Sequence, residues 1–191
     1  MKPILFNTEM VRAILDGRKT VTRRPIKPQP EGCPVPMAKD SCWPGYFAIQ
    51  GTEKVVRPSY QPGDILWVRE TWNCLPIPEP LRGTSKTYWY KADGAGSKDK
   101  WRSPYHMPRE AARIFLRVTG VREERLQDIN LDHPGPKNQV VREGFHYLCD
   151  FIAVWERTIK PADRSSYGWE ANPWVWVIEF ERISKEDNHE E

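Results

Sequence analysis

Proline is the residue that most restricts how this chain can fold. The 191 residues include 18 prolines, together with 9 tryptophans. A proline inside a helix removes a backbone hydrogen bond and clashes with the preceding turn, whereas tryptophan is enriched in strands. This composition argues against a bundle of long helices and favours strands joined by irregular loops.

The chain is too polar for a membrane protein. Its mean hydropathy is −0.70, and no apolar run approaches the roughly 18 residues that a membrane-spanning helix needs. The first residues contain one lysine and a short apolar run, so we expect no signal peptide and a cytoplasmic protein. The four cysteines form no C-x-x-C pair, which indicates ordinary thiols in a reducing compartment. We therefore expect neither a metal site nor another cofactor.

Basic residues concentrate in two stretches, although the net charge is only +3. Residues 18–27 contain five basic residues and no acid, and a second stretch from Lys98 to Arg117 is flanked by aromatic residues. Basic side chains beside stacking surfaces are typical of sites for single-stranded nucleic acid or a nucleotide base. A solvated basic face explains the same pattern equally well. Residues 184–191 carry one lysine and four acids without apolar periodicity, which predicts a flexible acidic tail.

Hydrophobic periodicity predicts two helices and several strands. Met10, Val11 and Ile14 recur at helical spacing after a cap at Asn7 or Thr8, and Gly17 ends that helix. A second amphipathic helix is predicted over 139–157, interrupted by a glycine. Strands are predicted at 19–25, 65–72, 88–91, 111–122 and 174–183, with one hairpin near 46–49. Few helices and no βαβ rhythm predict an α+β fold, a small mixed β-barrel flanked by helices, with long Pro/Trp-rich insertions.

Three segments of the sequence resemble the ASCH domain, a family of the PUA-like β-barrel superfamily. Residues 17–24, Gly-Arg-Lys-Thr-Val-Thr-Arg-Arg, resemble the family's G-x-K-x-x-x-R signature behind an N-terminal helix. Gly63-Asp64 opens a predicted strand, and residues 143–145, Glu-Gly-Phe, precede a helical stretch. The resemblance implies one ASCH domain over residues 1–183, with insertions at about 27–60 and 73–109, similar to long members carried by bacteriophages and prophages.

A small bacterial member of the ASCH family removes the acetyl group from N4-acetylcytidine with a threonine, a lysine and a glutamate. Matched through the motif, these residues fall on Thr22, Lys19 and Glu143. The resemblance therefore implies an amidohydrolase that acts on a modified pyrimidine nucleoside or nucleotide. Such a reaction needs an activated nucleophile and donors for the oxyanion. In this hypothesis Lys19, with a lowered pKa, activates the Thr22 hydroxyl, while Glu143 orients the lysine or protonates the leaving amine.

Four further residues are predicted to bind the substrate. Arg24 and Arg23 offer donors for an oxyanion or a phosphate, and Trp67 and Tyr90 offer surfaces on which a base can stack. Two alternatives remain open at this point: a non-catalytic module that binds single-stranded RNA, and a ribonuclease.

The spacing of the candidate catalytic residues also makes a geometric prediction. Lys19 and Thr22 are three residues apart, so a regular strand would direct them to opposite faces. We therefore predict a turn at residues 18–20 that brings both side chains into one pocket with Glu143, each group within hydrogen-bond reach of another, directly or through one water. Arg24 is expected at the rim of that pocket, with at least one Trp or Tyr on its wall.

Overall fold

The computed structural model describes residues 1–74, 88–94, 100–129 and 138–184, which form a mixed α+β fold. The α-helices are α1 Thr8–Leu15, α2 Gln139–Arg142, α3 Leu148–Thr158 and α4 Arg164–Tyr167. The strands are β1 Lys2–Leu5, β2 Val21–Pro25, β3 Pro34–Pro36, β4 Phe47–Ile49, β5 Val55–Val56, β6 Ile65–Arg69, β7 Trp72–Cys74, β8 Tyr88–Tyr90, β9 Phe115–Arg125 and β10 Trp174–Ile183. None of the described helices has the length and apolar character needed to cross a membrane.

A five-stranded sheet in the order β1-β6-β9-β10-β2 forms the centre of the fold. β1 and β6 are parallel, and the other neighbours are antiparallel. Alternate side chains of a strand point to opposite faces of the sheet. Accordingly Trp176 and Ile178 of β10 pack in one apolar cluster with α1, whereas Val175 and Val177 pack in a second cluster with α3. The sheet therefore separates two hydrophobic cores.

The strands described here do not close into the predicted barrel. β1 and β2 are the two edges of the sheet, and no backbone ladder joins them. α1 connects these two edge strands, and its Val11 and Ile14 are buried in a core cluster that also contains Ile4 of β1. A side chain crosses the gap instead, because the Arg24 guanidinium donates to the Leu5 carbonyl at 2.8 Å.

The two predicted helices are present, with a break in the second. Asn7 caps α1 by accepting from the Met10 amide at 2.8 Å, and Gly17 leaves the helix in the left-handed region at φ +73°. The predicted helix over 139–157 is divided into α2 and α3, and Gly144 lies between them at φ +94°. The break turns the chain back towards α1.

The proposed insertions contribute small sheets of their own. β3, β4 and β5 form a three-stranded sheet, and the Phe47 ring lies 4.7 Å from the Trp176 ring of the main sheet. β7 pairs with β8, and Trp72 and Tyr88 of that pair are in contact. The predicted tail beyond Ser184 and the basic residue Lys98 lie outside the described residues.

Candidate functional site

Lys19 and Glu143 form the centre of the candidate site. The amides of Arg18 and Lys19 both donate to the Ala13 carbonyl at 2.9 Å, so the chain turns under the end of α1 before β2 begins. The Lys19 ammonium then donates to the Glu143 carboxylate (Oε2) at 2.7 Å, to the Glu143 carbonyl at 2.8 Å and to the Val21 carbonyl at 2.7 Å. All three ammonium donors are thus satisfied by protein acceptors.

Burial sets the electrostatics of this pair. The Lys19 side chain is 0 % exposed and the Glu143 side chain 2 % exposed. Desolvation disfavours the charged amine and lowers the pKa of Lys19 below its ordinary value, while the charge of Glu143 and its hydrogen bond oppose that shift. The structure therefore holds a lysine that releases its proton more readily than one in water.

Glu143 depends on cations rather than on a helix for its position. It follows the last residue of α2, at the carbonyl end, where the helix dipole disfavours a carboxylate. Its second oxygen (Oε1) accepts from Arg23 (Nη1) at 3.0 Å, so each carboxylate oxygen is hydrogen-bonded to one of the two cations, Lys19 and Arg23. Arg23 in turn donates through Nε to Glu124 at 2.8 Å.

Gly144 allows the Glu143 turn to approach α1 this closely. A Cβ atom at position 144 would lie 2.9 Å from the Ala13 Cβ and 3.3 Å from the Lys19 Cβ. Contacts below 3.0 Å are essentially never seen for Cβ atoms. The geometry of the Lys19–Glu143 pair therefore requires glycine next to the carboxylate, both for its positive φ and for the close packing.

A cavity of about 130 Å³ opens beside the pair, between the free edge of β2, the start of α1 and α3. Its polar wall includes Thr22, Arg24 and Glu143, and its apolar wall includes Phe151 and Trp155 of α3. The remaining lining residues are Leu5, Asn7, Met10, Arg23, Pro25, Val154 and Thr158. The cavity at the edge of the sheet is thus lined both by residues with hydrogen-bonding side chains and by two aromatic residues of α3.

The predicted catalytic residues occupy different depths in this site. Thr22 and Glu143 line the cavity, whereas Lys19 lies behind Glu143 and is absent from the lining. Within the part of the chain described, the side-chain hydrogen bonds of Lys19 and Glu143 are to each other, to Val21 and to Arg23, so Thr22 makes no direct hydrogen bond to the pair. Arg24 lines the cavity, with its guanidinium 5.7 Å from the centre of the Phe6 ring.

The structure does not bring Trp67 and Tyr90 to this cavity. Trp67 lies on β6 and is buried against Ala112 and Phe115. β9 and β10 separate β6 from β2 in the sheet. The Tyr90 hydroxyl donates to the Ala111 carbonyl at 2.6 Å, and the Arg113 guanidinium stacks 3.9 Å from its ring centre. Both aromatic residues are used in packing away from the candidate site, so neither supplies the predicted stacking wall.

Sequence reasoning missed the aromatic wall that the structure contains. Phe151 and Trp155 are spaced i,i+4 on α3 and reach the cavity, although the pattern equally fits a core-facing helix. Their burial in the second core hides the difference, because the same residues contact both core and cavity. Only the position of α3 opposite β2 identifies them.

The cavity carries no metal-binding arrangement. The described residues contain no group of three or more His, Cys, Asp or Glu side chains able to hold a metal ion. Comparisons with protein-family models, curated proteins and solved structures give no significant match to this chain.

Proposed function

We propose that this protein is an ASCH-type amidohydrolase that removes an acyl group from the amino group of a pyrimidine nucleoside or nucleotide. The observation that carries the proposal is the cavity that is lined by Glu143, held by the buried Lys19, and by Phe151 and Trp155. The Arg24 bridge to Leu5 across the open edge supports treating the sheet as an opened PUA-like barrel.

The size of the cavity supports a single ring as the bound group. A cavity of about 150 Å³ in another protein takes up benzene, and the space here is about 130 Å³. In this proposal Phe151 and Trp155 provide the apolar contacts of the base, while Thr22 and Glu143 provide the polar contacts that orient it, since all four residues line the cavity. We expect a pyrimidine ring to occupy this space with its sugar directed outward.

The proposed reaction divides amide hydrolysis into two steps. The Thr22 hydroxyl attacks the acyl carbonyl, and its proton passes to the Glu143 carboxylate, which lines the cavity, and from there to the neutral Lys19 amine hydrogen-bonded behind it. The pair returns the proton to the leaving amino group as the C–N bond breaks and an acyl-threonine ester forms. A water molecule then hydrolyses the ester, which releases the carboxylic acid and restores the Thr22 hydroxyl. The lowered pKa of Lys19 supports this role because it increases the fraction of neutral amine.

Arg24 is assigned to the oxyanion. Its guanidinium is at the cavity and uses Nη2 to donate to the Leu5 carbonyl, which leaves other N–H groups for a substrate oxygen. A charged donor fixed before the reaction stabilises the developing negative charge without reorganisation.

The same contacts disfavour an RNA-binding module built on the N-terminal basic stretch. Lys19 and Arg23 have side chains that are 0 % exposed and are committed to buried ion pairs. Arg18 donates to Gly144 and Asp16. Phosphate contacts need accessible cations, so this stretch offers an RNA backbone fewer of them than its sequence suggests.

The test is release of acetate from N4-acetylcytidine in the presence of a metal chelator. We expect turnover by the unmodified chain, and a loss of at least about tenfold in kcat/KM for Lys19→Ala and for Glu143→Ala. Lys54→Ala is the matched control, because Lys54 forms an ion pair with Glu31 on the surface. Full activity in both site variants, or no turnover of any acylated nucleoside, would refute the proposal. Binding of RNA that weakens steeply with salt, without turnover, would favour the binding module.

A further inference from the structure

One edge of β2 is not used by the sheet. The Phe180 amide donates to the Thr20 carbonyl at 2.9 Å, and the Ile26 amide donates to the Trp174 carbonyl at 3.0 Å. Backbone groups two residues apart in a strand point to the same side, so the even-numbered residues of β2 face β10. The Lys19 ammonium reaches the Val21 carbonyl, which lies on the opposite side. The Arg23 N–H and C=O therefore point away from β10, towards the open edge.

The accessible part of Arg23 is its main chain. Its side chain is 0 % exposed, because the guanidinium is bound by Glu143 and Glu124, yet the whole residue is 4 % exposed and lines the cavity. No side chain or loop backbone group of the described residues bonds to its N–H or C=O. On the same edge Val21 is fully buried and Pro25 has no N–H. Arg23 thus presents one donor beside one acceptor to the cavity.

We propose that the Arg23 peptide group recognises the substrate ring by a pair of hydrogen bonds. Its N–H donates to a ring acceptor, and its C=O accepts from an adjacent exocyclic N–H, in the manner of a strand added to a sheet edge. The ligand class is a planar ring that carries an acceptor nitrogen next to an amino or acylamino N–H. This inference rests on the proposed function for the ring, and it assigns specificity to a main-chain group that the Arg23 side chain holds in place.

The recognition is measured directly on the Arg23 amide by NMR. In the free protein we expect the amides of Thr22 and Arg24 to be protected from hydrogen exchange and the Arg23 amide to exchange faster. Cytidine, the product of the proposed reaction, is the probe, and we expect it to shift the Arg23 amide resonance. N4,N4-dimethylcytidine lacks the exocyclic N–H and 3-deazacytidine lacks the ring acceptor, so each is expected to bind at least about tenfold more weakly.

A pair of substitutions separates the main chain from the side chain. Arg23→Ala and Arg23→Pro both remove the guanidinium, but only proline removes the N–H. Proline is tolerated at a strand edge whose N–H faces away from the ladder, and Pro25 already occupies that edge. We expect Arg23→Pro to bind cytidine at least about fivefold more weakly than Arg23→Ala, with similar melting temperatures for the two variants.

The outcomes distinguish this inference from the proposed function. Turnover of N4-acetylcytidine together with an Arg23 amide that does not respond to cytidine would overturn the recognition role alone. A shifted Arg23 amide without turnover of acylated nucleosides would support the recognition role and refute the hydrolase. Equal affinities for cytidine and both analogues would also overturn the inference, even where the two Arg23 variants fail to fold.

Discussion

Substituting Gly144 with alanine tests whether the turn after α2 packs against α1 as closely as the structure has it. The added methyl group would meet the Ala13 Cβ at 2.9 Å and the Lys19 Cβ at 3.3 Å, in a residue with φ +94°. Two costs follow. A non-glycine residue in the left-handed region costs roughly 1–2 kcal/mol, and overpacking a well-filled site costs about 1–3 kcal/mol more.

Gly63→Ala is the matched control for this change. Gly63 has φ +90°, nearly the same as Gly144, but a Cβ there would meet no heavy atom within 4 Å. Both variants therefore share the backbone cost, and their difference isolates the packing cost. For a chain of this size each kcal/mol lowers the melting temperature by about 2–4 °C. We expect Gly144→Ala to melt at least about 2 °C below Gly63→Ala.

Thermal unfolding followed by circular dichroism measures the difference, and acetate release measures its effect on the candidate site. Because the methyl group displaces the Lys19 side chain, we expect kcat to fall in Gly144→Ala and to be retained in Gly63→Ala. Equal melting temperatures for the two variants would show that the Glu143 turn does not lie against Ala13 and Lys19. The geometry derived for the Lys19–Glu143 pair would then be wrong.

Three further predictions concern the buried charges. Burial lowers the pKa of Lys19 below 10.5, so the unfolded chain holds this proton at pH values where the native chain releases it. The free energy of unfolding of the unmodified protein should therefore rise, relative to that of Lys19→Met, as pH increases towards 10.5. Urea unfolding of both proteins at pH 7 and pH 10 measures this change. A difference independent of pH would contradict this reasoning. Glu143→Gln leaves two buried cations without their shared carboxylate and should lower the free energy of unfolding in urea by about 3–5 kcal/mol. Lys54→Met, in the exposed Lys54–Glu31 pair, is the control and should leave the free energy of unfolding nearly unchanged. Equal decreases for the two variants would refute the burial argument. Desolvation raises the pKa of Glu70, and Arg113 opposes that shift. Arg113→Met should therefore lower the melting temperature more at pH 8, where the buried carboxyl must ionise without its partner, than at pH 5. A difference in melting temperature from the unmodified protein that becomes smaller as pH rises would contradict this prediction.

The parts of the fold set by local pattern could be predicted from the sequence. β10 has the predicted bounds, Trp174–Ile183, because alternating apolar residues specify a strand without reference to its partners. α1 begins after Asn7, one of the two predicted caps, and ends just before the predicted terminator Gly17 for the same reason. β1 was not predicted, since its four residues carry little pattern and become a strand by pairing with β6, more than sixty residues later.

The candidate site was predictable only where a motif identified its residues. Lys19 and Glu143 lie 124 positions apart, and their 2.7 Å contact depends on a turn at each residue that no periodicity specifies. No motif identified the aromatic residues that line the cavity. Among many aromatic residues, position in the sheet decides which ones reach the cavity: Trp67 is on a strand remote from β2, while Trp155 is on the helix opposite it.

The open edge of the sheet explains why the candidate site lies where it does. In a closed barrel β1 would pair with the outer side of β2, and the Arg23 N–H and C=O would be hydrogen-bonded to β1. Here α1 keeps the two strands apart, so the outer edge of β2 becomes one wall of the cavity and α3 becomes the other. An unpaired strand edge is a liability in water, and this one is partly blocked by Pro25, which has no N–H, by the Lys19 bond to the Val21 carbonyl and by the Arg24 bridge to Leu5. The contacts that protect the edge thus also determine which backbone groups a ligand can reach.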